Sequence, residues 1–218
     1  MRYQIVPSAL LLILLLFAQA CAQQLLPDPA TDGDVSIEEA LLNRRSTRAF
    51  TGSEPLSLSE VSQVLWAAQG ITARDRLRTA PSAGALYPLQ IYLVAERVDS
   101  LSPGIYLYLP GSDSIEHIAA GCFLDTLAEA SLKQMWMRDA QAMVVITANF
   151  DIVTDVYGSR GIRYVYMEAG HVSQNIYLQC VPLGLGTTAV GAFNDEAVAA
   201  ILQLPDGGVP LYLMPFGR

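Results

Sequence analysis

Hydrophobic and polar positions follow three different rhythms along the chain. Residues Ile5 to Ala18 form an almost unbroken apolar run behind a single basic residue, Arg2, and small residues follow at Ala18-Gln19-Ala20. The run is too short to span a bilayer comfortably, so residues 1–20 read as a signal peptide for export. Cys21 directly after Ala20 leaves two readings open: a lipoprotein signal with Cys21 as the acylated first residue, or an ordinary cut after Ala20 or Ala22. Residues 21–35 are rich in Pro, Asp and Gln and read as a flexible tether ahead of one domain over 36–218.

From Ser36 onward the pattern has helical and strand periods. Ser36 with Glu39, and Ser57 with Glu60, have capping-box spacing. The first opens a short helix into Arg44, the second a helix carrying Val61, Val64, Leu65 and Ala68 that stops at Gly70. "QIYLVAE" and "GIYLYLP" predict two strands joined by a turn at Ser102-Pro103-Gly104. A helix is expected from Phe123 to about Gln134. "AMVVITANF" follows, and its continuous apolar character predicts a strand buried on both faces. A long helix over Ile162 to Pro182, a strand "LGTTAVGAF", a helix opened at Asn194 and a last strand "PLYLMPFGR" complete the chain. Helices and strands mix without a regular βαβ repeat, so the fold class is α+β.

Composition narrows the partners. The 218 residues carry 13 Lys+Arg against 21 Asp+Glu, a formal charge of −8, which argues against nucleic acid or an anionic membrane surface. With only His117 and His171, and no Cys/His cluster, a metal site is not expected. Cys122 and Cys180 would meet an oxidising compartment after export, and either pair or stay buried as small hydrophobes.

Against that acidic background "NRRSTRAF" places Arg44, Arg45 and Arg48 within five positions, with Ser46 and Thr47 hydroxyls between them. Cations at a helix C-terminus complement its dipole, and guanidinium forks with hydroxyl donors also suit a phosphate. "TAPSAGALYP" puts small residues and two prolines in a loop before a strand, where backbone can approach a flat ligand. "GLGTTAVGAF" lacks G-x-G-x-x-G spacing, so a dinucleotide fingerprint is not supported. The chain ends in Gly217-Arg218, a further cation.

Taken together and in order, "RRSTRAF", "PSAGALYPLQIYL", "YGSRGIRYVYMEAGHVSQNIYLQC", "LGLGTTAVGAF" and "PFGR" resemble the FMN-dependent nitroreductase superfamily, closest to its SagB/ThcOx-type dehydrogenase branch. The resemblance implies a mixed or antiparallel sheet flanked by helices, and a homodimer with one FMN at each interface. It implies that Arg44 and Ser46 bind the phosphate with Arg45 alongside, that Arg48 lies near the flavin O2/N1 edge, and that Arg218 completes the phosphate site. Pro81, Ser82, Ala83 and Gly84 would come from the partner copy, and backbone N–H groups of Val190 and Gly191 would point at N5 and O4. Azoline-oxidising members carry a Lys-Tyr pair where this chain has Val156-Tyr157. The base is therefore missing, and Tyr157 is either a proton donor or a packing residue. The activity implied is hydride transfer through flavin N5 with a small-molecule substrate, drawing on NAD(P)H or a periplasmic reductant. The alternatives are a non-catalytic flavin- or partner-binding module, or an O2-using or flavin-fragmenting relative.

Overall fold

The computed structural model describes residues 23–218; the expected signal segment and Cys21 lie outside them. Seven strands form one sheet in the order β1-β4-β3-β2-β5-β7-β6, and every neighbouring pair is antiparallel. They are β1 (Gln23–Leu25), β2 (Leu89–Ala95), β3 (Gly104–Leu109), β4 (Ser114–Ala120), β5 (Ala142–Asn149), β6 (Gly186–Thr187) and β7 (Gly208–Gly217). The helices are α1 (Ile37–Asn43), α2 (Leu58–Gln69), α3 (Leu124–Ala130), α4 (Asp151–Tyr157), α5 (Arg160–Cys180) and α6 (Asp195–Leu202).

The central strand β5 shows why its sequence is apolar throughout. Ala142, Val144, Ile146 and Ala148 enter one core with α2 and α5, while Met143 and Val145 enter another with α3 and α6. Alternation along a strand sends successive side chains to opposite faces, and here both faces are covered. In α2 the capping box forms as its spacing implies: Ser57 Oγ accepts from the Glu60 N–H, and the Glu60 carboxylate accepts from the Ser57 N–H at 2.8 Å. Losing such a cap costs about 1 kcal/mol.

Several expectations shift. The stretch read as a flexible tether is packed: β1 pairs with β4, Leu26 is buried, and Gln63 bonds both N–H and carbonyl of Ala30. The helix begun at Leu124 ends at Ala130 rather than near Gln134, because the Ser131 hydroxyl bonds back to the Leu127 carbonyl and Leu132 and Lys133 take left-handed φ values of 53° and 59°. Only Gly186–Thr187 of "LGTTAVGAF" pairs as a strand; the chain then leaves the ladder and returns through a single bridge between Val190 and Leu213. Three elements are additional: β1 in the expected tether, β4, and α4 in the segment before Gly158. Among the described residues Cys122 and Cys180 do not pair, and burial pushes the Cys180 thiol up to about 12.

Candidate functional site

The arginine motif leaves the C-terminus of α1 and runs along the sheet edge. The Thr47 N–H donates to the Thr187 carbonyl at 2.9 Å, and Ser46 bridges Thr187, so β6 fixes the segment. Gly186 is required here, since an added Cβ would lie 2.6 Å from the Thr47 side chain. Arg45 folds back onto the carbonyls of Leu42 and Arg44, both at 2.8 Å, and so serves the helix end. Arg44 takes another course: its guanidinium lies over the Tyr177 ring, 5.1 Å from the centroid. Arg48 is exposed and has no ion pair among the described residues.

Tyr177, on α5, is the residue that the motif reading passed over. Its hydroxyl sits 3.1 Å from Ser46 Oγ and accepts from the Ala189 N–H at 2.8 Å. One side chain therefore joins the arginine segment to the turn that carries Val190 and Gly191. The backbone N–H of Val190 is already donated to the Leu213 carbonyl at 2.8 Å, which removes it from the pair expected to face a ligand. The Gly191 N–H donates to no acceptor among the described residues, and Gly191 is exposed. A cavity of about 190 Å3 lies against this set, lined by Arg45, Thr47, Tyr177 and Thr187.

The second set is built around the loop Pro81–Gly84. Ser82 donates its hydroxyl to Glu168 Oε2 at 2.6 Å and accepts the Tyr87 N–H at 2.9 Å, so its oxygen serves the loop's own structure. Glu168, on α5, is 2% exposed. Burial raises its carboxyl pKa, opposed by the Ser82 hydroxyl, the Gln69 amide and the charge of Arg78. Gly84 holds a left-handed φ of 62°, and a Cβ there would come within 2.8 Å of the Tyr157 hydroxyl. Tyr157 thus covers the loop, braced edge-on by Tyr164 at 5.3 Å. Pro81, Ser82 and Ala83 line a cavity of about 260 Å3 with Tyr164, Met167 and His171.

Within one chain the two sets stay apart. Glu168 and Tyr177 are nine residues apart on α5, about two and a half turns and ~13 Å along its axis, on opposite sides of the helix. No hydrogen bond joins the sets among the described residues, and each of the two cavities just described is lined by one set. Arg218 joins neither: its guanidinium ion-pairs with Glu60, its N–H donates to Gln141, and its carbonyl accepts from Gly52. A cavity of about 480 Å3 between Asp28, Gln63 and Gln179 is lined by none of the residues expected to hold flavin.

Nitroreductase family sequence features match the chain over residues 41–218. It is 45% identical over 185 residues to the nitroreductase-like protein MJ1384 of Methanocaldococcus jannaschii, covering 85% of this chain and 92% of that one. Identity to the microcin B17-processing protein McbC of Escherichia coli is 29% over 151 residues, 64% of this chain and 54% of McbC, so the chain spans about half of that relative. A crystal structure of a nitroreductase-like protein from Ralstonia eutropha aligns with a TM-score of 0.80 at 26% identity, over 90% of this chain and 89% of that one. The chain belongs to the nitroreductase family of oxidoreductases.

Proposed function

We propose that this protein is an FMN-dependent oxidoreductase acting as a homodimer, each flavin site combining the Arg44–Gly191 set of one copy with the Pro81–Gly84 loop of the other. The observation that carries this reading is the separation just described: each chain offers two incomplete ligand surfaces on opposite sides of α5. Apolar side chains left exposed on α1 (Ile37, Leu41, Leu42) and α5 (Ile162, Tyr166, Met167) supply a face for a second copy.

The residues present fit a flavin phosphate and ring. Arg44 and the exposed Ser46 hydroxyl give a cation and a donor for phosphate, the Gly191 N–H is free, and Arg48 brings an unpaired positive charge to the pyrimidine edge. FMN bound there would supply the hydride-carrying N5, while the protein supplies orientation and charge. Tyr177 sets the spacing between phosphate ligands and ring ligands, because one hydroxyl contacts both segments. Val156 stands where a base would be needed for azoline oxidation, which favours a small electron-accepting substrate over a peptide azoline. The electron donor is NAD(P)H or a periplasmic reductant, and the sequence before residue 22 supports an exported protein, periplasmic or lipid-anchored at Cys21.

The test is direct. Purified protein should show flavin absorbance or take up added FMN at one per chain, and its reduced form should pass electrons to quinones or nitroaromatics faster than free FMN does. Protein that neither carries nor takes up FMN would refute the reading.

A further inference from the structure

The flavin reading leaves a second basic segment without a role. Arg74, Arg76 and Arg78 fall within five positions of an acidic chain, and none forms an ion pair among the described residues. They lie on a short hairpin. Ile71 bridges Arg78, the Thr72 N–H donates to the Leu77 carbonyl at 2.8 Å, and Arg76 takes a left-handed φ of 64° at the turn. That turn returns Arg78 to the end of the sheet, where its guanidinium lies over the Tyr87 ring, 4.4 Å from the centroid. It donates one hydrogen bond, to Gln69 Oε1 at 2.7 Å. Both partners are uncharged. Burial pulls the guanidinium below its ordinary pKa against the opposing pull of nearby Glu168, and no carboxylate lies within ion-pair distance of it among the described residues.

A cavity of about 380 Å3 opens beside it. Gln90 and Asn149 add polar groups to the wall, and Leu107, Leu109 and Ile152 add apolar ones. Asp206, exposed at the rim, is the single acid among the lining residues, and it does not pair with Arg78. The Arg76 guanidinium sits over Gly111, 3.2 Å from where a Cβ would be, next to Pro110 of the same wall. One guanidinium thus lies in the wall and a second at the lip.

We infer that this cavity binds a small organic carboxylate, its head group on the Arg78 fork and its aromatic or branched apolar body against Leu107, Leu109 and Ile152. A guanidinium seated over an aromatic ring keeps in-plane donors for a ligand, which match a carboxylate better than a point charge would. The volume lies at the low end of the roughly 300–1,000 Å3 usual for small-molecule sites, which leaves no room for a dinucleotide. None of the residues expected to hold flavin lines this cavity, so the inference stands independently of the flavin reading.

Isothermal titration of the purified full chain with benzoate and with isovalerate, against benzamide and isovaleramide as uncharged controls, tests it. At least one carboxylate should bind saturably at one per chain, with the controls at least about tenfold weaker, a difference of roughly 1.4 kcal/mol. Arg78→Gln should abolish the binding, and Arg78→Lys, which keeps the charge and a folded chain, should still weaken it several-fold. Arg44→Ala, altered in the other basic segment, should bind as the unmodified protein does. Absence of saturable binding by both carboxylates, benzamide binding as tightly as benzoate, or unchanged affinity in Arg78→Lys would each overturn the assignment.

Discussion

On the arginine side, Arg44, Ser46 and Arg48 stand in or near solvent, and one aromatic residue, Tyr177, touches Arg44, Ser46 and Ala189 and so joins two chain segments. On the loop side, Ser82 is clamped to a buried carboxyl and Gly84 is roofed by Tyr157. The first surface keeps donors and charge free for a ligand; the second spends its polar groups on its own shape and offers backbone and apolar contact. Charge-assisted ligands on an exposed segment and a rigid, self-satisfied loop are complementary means of holding one flat anionic cofactor.

Breaking the arginine side should have the largest effect. Arg44→Ala combined with Ser46→Ala removes two phosphate contacts of about 1–3 kcal/mol each, so FMN affinity should fall by roughly two or more orders of magnitude in a fluorescence titration. Thermal stability should change little, because both side chains are at or near the surface. Unchanged affinity would show that phosphate is not held there.

Breaking the loop side should cost stability as well as flavin binding. Glu168→Ala leaves the Ser82 hydroxyl without its acceptor and opens a void, costing about 2–4 kcal/mol in denaturant unfolding. The same carboxyl gives a pH signature. Its folded pKa is raised by burial, so the native state holds the proton more tightly than the unfolded chain does. The contribution is fully present below the ordinary carboxylate pKa and is lost as pH rises through the raised value. Stability should therefore decline over that window in the unmodified protein, and Glu168→Gln should flatten the decline.

Smaller changes sharpen the contrast. Tyr177→Phe keeps the stack under Arg44 but removes the hydroxyl shared by Ser46 and Ala189, at about 1 kcal/mol, so FMN affinity should weaken several-fold. Gly84→Ala should cost about 1 kcal/mol of stability from its left-handed backbone, plus a contact with the Tyr157 hydroxyl. Adding Tyr157→Phe should recover the contact part alone, as a double-mutant cycle would show.

The sequence carried much of this architecture where the signal was local. The Ser57–Glu60 cap closes within one turn, and the two-sided burial of β5 is written in its unbroken apolar run. The strand β4 was hidden because Glu116 and His117 interrupt its pattern and it is held by the neighbouring strands β1 and β3. In α4, seven residues without a side-chain cap gave no start signal. The role of Tyr177 was unreadable for a plainer reason: its contacts to Ser46 span 131 positions, and no spacing rule reaches that far. The same holds for Arg218, whose partner Glu60 also caps a distant helix.

Complementation between copies tests the central claim most directly. A chain with Arg44→Ala and Ser46→Ala lacks the arginine half, and a chain with Glu168→Ala lacks the carboxyl that clamps Ser82 of the loop half; neither should bind FMN alone. After the two are unfolded together and refolded, mixed dimers should each regain one intact site, about a quarter of the unmodified flavin content for random pairing in a two-fold dimer. No recovery in mixed dimers, or full FMN binding by a chain that sediments as a monomer, would contradict a site shared between two copies.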